Sequence, residues 1–215
     1  MKKYECVLFD LDGTLANTYQ GIFNSYKYAA EQMNLPLPTD KLVNEAIGAK
    51  LTEVFRDKFG LDDNKVDEAT AHYRKRYADK GIYEAFPYPQ MEDTLRKLKE
   101  RGVKIGVATL KKDEFAKHML EHLNLSHYFD VIVGMDTNDK LTKAGIIQKV
   151  VSILGQKAER TVMVGDSFYD ALGAEEAGVD FIGVTYGFGF KNAQDVRQYK
   201  AIATANMPIE ICDII

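Results

Sequence analysis

Cysteine is scarce in this chain of 215 residues: Cys6 and Cys212 stand alone near its two ends. Two isolated thiols supply neither a disulfide framework nor the clustered ligands of a zinc site. Long apolar runs are also missing, and no stretch approaches the ~18 residues of a membrane-spanning helix. The opening segment reaches Asp10 after four core-type residues, too few for the apolar part of a secretory signal. Neither sign of charge dominates, with 28 Lys and Arg against 32 Asp and Glu and a net charge of −4. A broad basic field for sequence-independent nucleic-acid binding is therefore excluded. Internal repeats and low-complexity segments are absent. The expectation is a soluble, cytoplasmic protein with neither a nucleic-acid polymer nor a membrane as partner. Its length and 46% hydrophobic content suffice for one core domain with a small insert.

What is present is a rhythm. Cys6–Phe9 is a short apolar run that stops at Asp10 and the turn signal Asp12-Gly13. Similar runs recur at 103–108, 131–133, 161–164 and 181–184, each bounded by Gly or Asp. Helical patterns lie between them: Leu95 and Leu98; Phe115, Met119, Leu120 and Leu123; Ile146, Ile147, Val150 and Leu154. Strands alternating with helices predict a parallel sheet covered on both faces. Residues 18–84 break the rhythm, with no convincing strand but helical stripes at Ile22, Tyr26, Ala29, Ala30 and Met33 and at Val54, Phe55 and Phe59. Pro36 and Pro38 punctuate this stretch, and Pro87 and Pro89 mark its exit. The reading is an α/β three-layer core over 1–16 and 87–215, with an inserted all-helical domain over 17–86.

Four places carry chemistry. Asp10-Leu11-Asp12-Gly13-Thr14 ends the first strand, and carboxylates two apart point the same way in an extended backbone. Paired like charges are costly, and a hard cation such as Mg²⁺ relieves them. The plainer alternative is an Asp-Gly turn with a helix cap. Asp166 ends another strand-like run, with Asp170 one helical turn on; the alternative makes Asp166 an N-cap and Asp170 a first-turn charge. Thr109 follows the 103–108 run, where its hydroxyl and the next backbone N–H groups would hold a phosphate at a helix start; a simple Thr N-cap competes. Lys143 opens a helix, where the dipole disfavours it. Either an acidic or phosphate partner holds it there, or it is a solvated lysine, with Lys140 a nearby competitor.

Taken in order, VLFDLDGTLANT, VATLKK, Lys143 and VMVGDSFYD resemble the four motifs of the haloacid dehalogenase superfamily, on its phosphatase side. The resemblance spans nearly the whole chain, and the helical insert falls where that family carries its cap. IGAKLTEVF, GIYEAFPYP and VTYGFG resemble the branch of 5'-nucleotidase-like and phosphoglycolate-phosphatase-like enzymes. The resemblance implies that Asp10 is the nucleophile and Asp12 the general acid/base, with Asp12 also giving its carbonyl to Mg²⁺. It implies that Asp166 is a metal ligand, that Asp170 supports the metal site, and that Thr109, Leu110 and Lys143 hold the phosphoryl group. Lys111 matches a lysine often found two places after the second-motif Thr. Three positions depart from the pattern: Asn17 stands for a frequent Asp, Ala144 for a frequent Pro, and Leu110 for a small polar residue, which leaves a backbone contact there.

The implied activity is Mg²⁺-dependent hydrolysis of a small phosphorylated metabolite (a nucleotide, phosphoglycolate or a sugar phosphate) through an aspartyl phosphate. A β-phosphoglucomutase-like phosphotransferase would keep every catalytic residue. A dehalogenase would need neither Asp12 nor a metal. A phospho-acceptor signalling module would usually be only ~100–150 residues long and would not need the helical insert. Substrate choice is expected in the cap, with Tyr19, Gly48, Lys50 and Tyr83 as candidates.

Overall fold

The computed structural model describes residues 4–137 and 140–215. Strand β1 (Cys6–Phe9) is apolar on both faces: Val7 and Phe9 pack one way, Cys6 and Leu8 the other, all fully buried. Such a strand belongs in the middle of a doubly covered parallel sheet. A short strand β2 (Ala16–Asn17) leads into four helices, α1 (Tyr19–Gln32), α2 (Asp40–Ala46), α3 (Leu51–Asp57) and α4 (Asp63–Asp79). Strand β3 (Phe86–Pro87) pairs antiparallel with β2, so the entry and exit of this helical insert form one ribbon. The core then continues through α5 (Met91–Glu100), β4 (Lys104–Lys112), α6 (Asp113–His122), β5 (Val131–Met135) and α7 (Lys143–Ile153). It closes with β6 (Thr161–Gly165), α8 (Phe168–Ala177), β7 (Asp180–Val184), α9 (Ala193–Val196), β8 (Ala203–Ala205) and α10 (Ile211–Ile214).

The sheet order is β5-β4-β1-β6-β7-β8, and every pairing in it is parallel. From β1 the chain moves outward through β4 and β5, then returns to β6 on the other side. The order therefore reverses beside β1, and open α/β sheets bind ligands outside the carboxyl ends of their strands at such a point. Phe9 aligns with Val107 of β4 and with Val164 of β6. Asp10 and Asp166 consequently emerge at neighbouring strand ends, with Thr109 of β4 alongside.

One face of the sheet packs against Leu95 and Leu98 of α5 and Phe115, Met119 and Leu120 of α6. The other packs against Ile146, Ile147 and Val150 of α7 and Ala171 and Ala174 of α8. In the insert, the stripe of α4 is aromatic: Tyr73 and Tyr77 stack 5.6 Å apart, and Tyr26 of α1 lies 4.7 Å from Tyr73. Gly21 lets α1 approach closely, since a Cβ there would lie 2.2 Å from the carbonyl oxygen of Gly81. Arg76 grips Glu84 with both terminal nitrogens at 2.5 and 2.8 Å, fastening the end of the insert to α4. Among the described residues no helix is long and apolar enough to cross a membrane.

Two features differ from the pattern expected of the sequence. Six strands form the sheet rather than five, because β8 consists of small residues with no apolar run. The second run extends to Lys112, and the register between β4 and β5 shifts: Ala108 pairs with Val133, but Lys112 pairs with Met135. Four steps along β4 thus match two along β5, which makes residues 109–111 a bulge. Helix α6 begins only at Asp113, so Thr109 neither starts nor caps a helix.

Candidate active site

Asp10 leaves β1 while its N–H still donates to the carbonyl of Val164, 2.9 Å away. The chain then wraps tightly, with the amides of Thr14, Leu15 and Ala16 all donating to the Leu11 carbonyl. Gly13 makes this turn at φ +81°, and a Cβ there would lie 2.2 Å from Asp166 Oδ2. Asp10, Asp12, Asp166 and Asp170 are all buried. Asp10, Asp166 and Asp170 each bring an oxygen within 4.8 Å of the others. Lys143 lies between two of them, 2.7 Å from Asp10 Oδ1 and 2.6 Å from Asp170 Oδ1. Asp12 turns to another ammonium, that of Lys111, 3.0 Å from its Oδ1.

Local structure explains each placement. Ser167, not Asp166, caps α8; its N–H and Oγ–H both donate to Asp170 Oδ2, at 3.1 and 2.6 Å. Asp166 is held from the other side, its Oδ2 accepting the amides of Phe188 and Gly189 at 2.7 and 3.0 Å. Lys143 opens α7 behind the N-cap Thr142 but is 7% exposed, so it is not a solvated lysine; Lys140 is the exposed one. Its stem passes Gly173 of α8, where a Cβ would lie 2.5 Å from Lys143 Cγ. The β4 bulge aims Lys111 inward, a common use of bulges beside active sites. There Lys111 donates to the Tyr77 hydroxyl at 2.8 Å and lies 4.5 Å from that ring's centre.

A cavity of about 100 Å³ lies between these strand ends and the insert. Asp10, Asp12, Thr109, Leu110, Lys111, Lys143 and Asp170 line it from the core; Gly48 and Lys50 line it from the insert. Thr109 is buried there, its Oγ1 accepting the Lys111 amide at 3.2 Å. Tyr19 and Tyr83 do not line it. Tyr19 donates to Asp40 within the insert, and Tyr83 is 55% exposed, edge-on to His122. The sequence reading missed Tyr26, Tyr73, Arg74 and Tyr77 on the cavity wall. Tyr26 belongs to a helical stripe and reads simply as core, whereas Tyr73, Arg74 and Tyr77 fall in a stretch, 68–79, whose many charges read as a polar helix. It also missed Ser167, whose signal was the Ser-x-x-Asp spacing of a capping box.

The donor set fits a hard divalent cation. Three carboxylates crowd together in a buried site, and oxygen donors of this kind suit Mg²⁺. Burial, together with the neighbouring carboxylates, pushes Asp10 up to about 6 and Asp166 up to about 8. Burial alone would lower the Lys143 value, but Asp10 and Asp170 outweigh it and hold the ammonium above the usual lysine range. The raised carboxyl values mean that the metal-free fold keeps protons that an unfolded chain has already lost. Their contribution is fully present below the ordinary carboxylate value of about 4 and is lost as pH rises through the raised values. Metal-free protein is expected to melt at steadily lower temperature from about pH 5 to about pH 8, with added Mg²⁺ recovering most at the upper end. Thermal melts across this range check it; a melting temperature that holds or rises would contradict the crowding.

Buried carboxylates, a buried lysine and a trio of oxygens spaced to hold a cation thus lie together at adjoining strand ends. The chain matches the model of the haloacid dehalogenase-like hydrolase family over residues 7–184, and it belongs to that family. It is 35% identical to a 5'-nucleotidase of Pseudomonas aeruginosa, over 91% of this chain and 89% of that one. It is 34% identical to a pyrophosphatase of Halalkalibacterium halodurans, over 97% and 95% of the two chains. The crystal structure of a predicted phosphatase from Clostridium acetobutylicum superposes with a TM-score of 0.91 at 34% identity, covering 98% of this chain and 97% of that one. The chain is an enzyme of the phosphatase kind, with the family's α/β core and helical cap.

Proposed function

We propose that the chain is a Mg²⁺-dependent phosphomonoesterase that hydrolyses a small phosphorylated metabolite through a phosphorylated Asp10. The observation that carries this reading is Lys143 held between Asp10 and Asp170, beside the third carboxylate Asp166, at the floor of a capped cavity. Asp10 and Asp166, with support from Asp170 and the Asp12 carbonyl, would hold the ion. When bound, it offsets the charge on the phosphoryl oxygens.

In the first step an Asp10 oxygen forms a bond to phosphorus as the ester bond to the leaving oxygen breaks. Asp12 gives its proton to that oxygen. In the second step water attacks the same phosphorus, its proton passes to Asp12, and the Asp10–phosphorus bond breaks to release phosphate. Lys143, Thr109 and the Leu110 backbone hold the phosphoryl oxygens during both steps. Residues 17–86 are taken as the cap, moving on the β2–β3 ribbon to admit substrate and exclude water. The cavity, at about 100 Å³, is well below the ~300 Å³ where ordinary ligand pockets begin. A nucleotide would therefore need a more open cap, whereas pyrophosphate-sized and glycolate-sized esters ask for less room. Lys50 and Arg74 face the cavity from the cap, where a second anionic group of the substrate would lie. Both cysteines are buried free thiols, in keeping with a reducing cytoplasm.

The test is phosphate release from a panel of nucleotides, pyrophosphate, phosphoglycolate and sugar phosphates, with Mg²⁺ and with excess chelator. Turnover of at least one ester is expected with Mg²⁺ and none with chelator. Full turnover in chelator would remove the metal from the reading, and transfer to a sugar phosphate instead of water would make the enzyme a mutase.

A further inference from the structure

The segment Thr185-Tyr186-Gly187-Phe188-Gly189 follows β7 and folds back over Asp166. The amides of Phe188 and Gly189 both donate to Asp166 Oδ2, and among the described residues Oδ1 accepts no hydrogen bond. The Phe190 amide takes the Asp166 main-chain oxygen at 2.7 Å. Glycines close the remaining space. A Cβ on Gly187 would lie 2.3 Å from the Gly13 carbonyl oxygen and 2.4 Å from Asp166 Oδ2, and one on Gly189 would lie 2.3 Å from the Asp166 main-chain oxygen. The segment is itself fastened. Tyr186 donates its hydroxyl to the Thr14 carbonyl at 3.2 Å. The Lys191 ammonium donates to the carbonyls of Phe188 and Gly187, at 2.6 and 3.4 Å.

We propose, resting on the Mg²⁺ reading above, that residues 185–189 are a collar that fixes Asp166 as a one-oxygen ligand and so suits the site to a small cation over a large one. Mg²⁺ demands near-octahedral geometry, whereas Ca²⁺ takes six to eight oxygens and often both oxygens of a carboxylate. Oδ2 already accepts two amides, so a two-oxygen grip by Asp166 would break both hydrogen bonds and leave the amides unpaired. Outer partners that orient a ligand are typically worth about 10–100-fold in metal affinity. Gly187, Phe188, Gly189 and Lys191 are positioning residues, acting on the metal site through Asp166.

Calorimetric titration of Mg²⁺ and of Ca²⁺ into the metal-free full chain, without substrate, tests the collar. Gly187→Ala is expected to weaken Mg²⁺ binding about 10–100-fold and Ca²⁺ binding by less, because a loosened Asp166 can offer both oxygens. Lys191→Met, at an exposed side chain, is expected to shift the two affinities the same way by a few-fold, and it carries the test if Gly187→Ala does not fold. Unchanged Mg²⁺ affinity in the folded variants, or an equal loss for both cations, overturns the collar alone. A wild-type chain that binds neither cation overturns the metal reading and the collar with it.

Discussion

Asp10→Asn is expected to reduce phosphate release to the uncatalysed background while leaving the fold intact. An amide at this position cannot form the bond to phosphorus, and the other carboxylate beside Lys143, Asp170, is already engaged by the Ser167 amide and hydroxyl. The fold should tolerate the change for an electrostatic reason. Burial first, and then the neighbouring carboxylates, push the Asp10 carboxyl up to about 6 against the pull of Lys143, and Lys143 keeps Asp170 as a partner at 2.6 Å. Metal-free Asp10→Asn should therefore melt no lower than wild type near neutral pH. Rapid quench of the wild type, followed by peptide mapping, should find phosphate on the peptide that carries Asp10. Label on Ser167 or Thr109 instead, or appreciable turnover by the variant, would overturn the covalent mechanism.

Asp12→Asn should slow turnover by about 10²–10⁴-fold, the range typical of a lost general acid/base. Asn is the informative replacement because it keeps an oxygen for Lys111, whose ammonium lies 3.0 Å from Asp12 Oδ1 with only 6% of its side chain exposed. Alanine would leave that buried charge poorly paired and mix a folding defect into the kinetics. With p-nitrophenyl phosphate the leaving group needs no proton, so the first step should survive better than the second. Phosphorylated Asp10 should then accumulate, visible as a burst followed by slow release. A variant that loses both steps equally with this substrate would place Asp12 in positioning rather than in proton transfer.

The carboxylates were legible because each of Asp10 and Asp166 interrupts an apolar run. In a doubly covered sheet, a charge at that point can only mean a strand end. Lys143 was not legible from pattern alone. A lysine at a helix start looks solvated until Gly173 on another helix is seen to clear a path for its stem. Thr109 misled for a related reason. Periodicity carries no mark for the two extra residues of the β4 bulge, and Thr-Leu-Lys-Lys before Asp113 resembles a helix entrance. β8 escaped because an Ala-Thr-Ala strand at the sheet edge needs little apolar side chain. Within the cap, the candidates Tyr19 and Tyr83 lie away from the cavity. The cavity aromatics proved to be stripe residues, because one row of tyrosines on α1 and α4 both packs the cap and roofs the cavity.

The ribbon of β2 and β3 has a consequence for how such an enzyme can change over evolutionary time. Both ends of the insert meet at Ala16–Pro87 and Asn17–Phe86, so the sheet experiences roughly seventy residues as one closed loop. Closing a loop twice as long costs only about 0.6 kcal/mol more. Helices can therefore be added, shortened or exchanged above the ribbon without disturbing the register that sets Asp10 beside Asp166. A lineage is free to rewrite what enters the cavity while the core carboxylates stay where β1 and β6 put them.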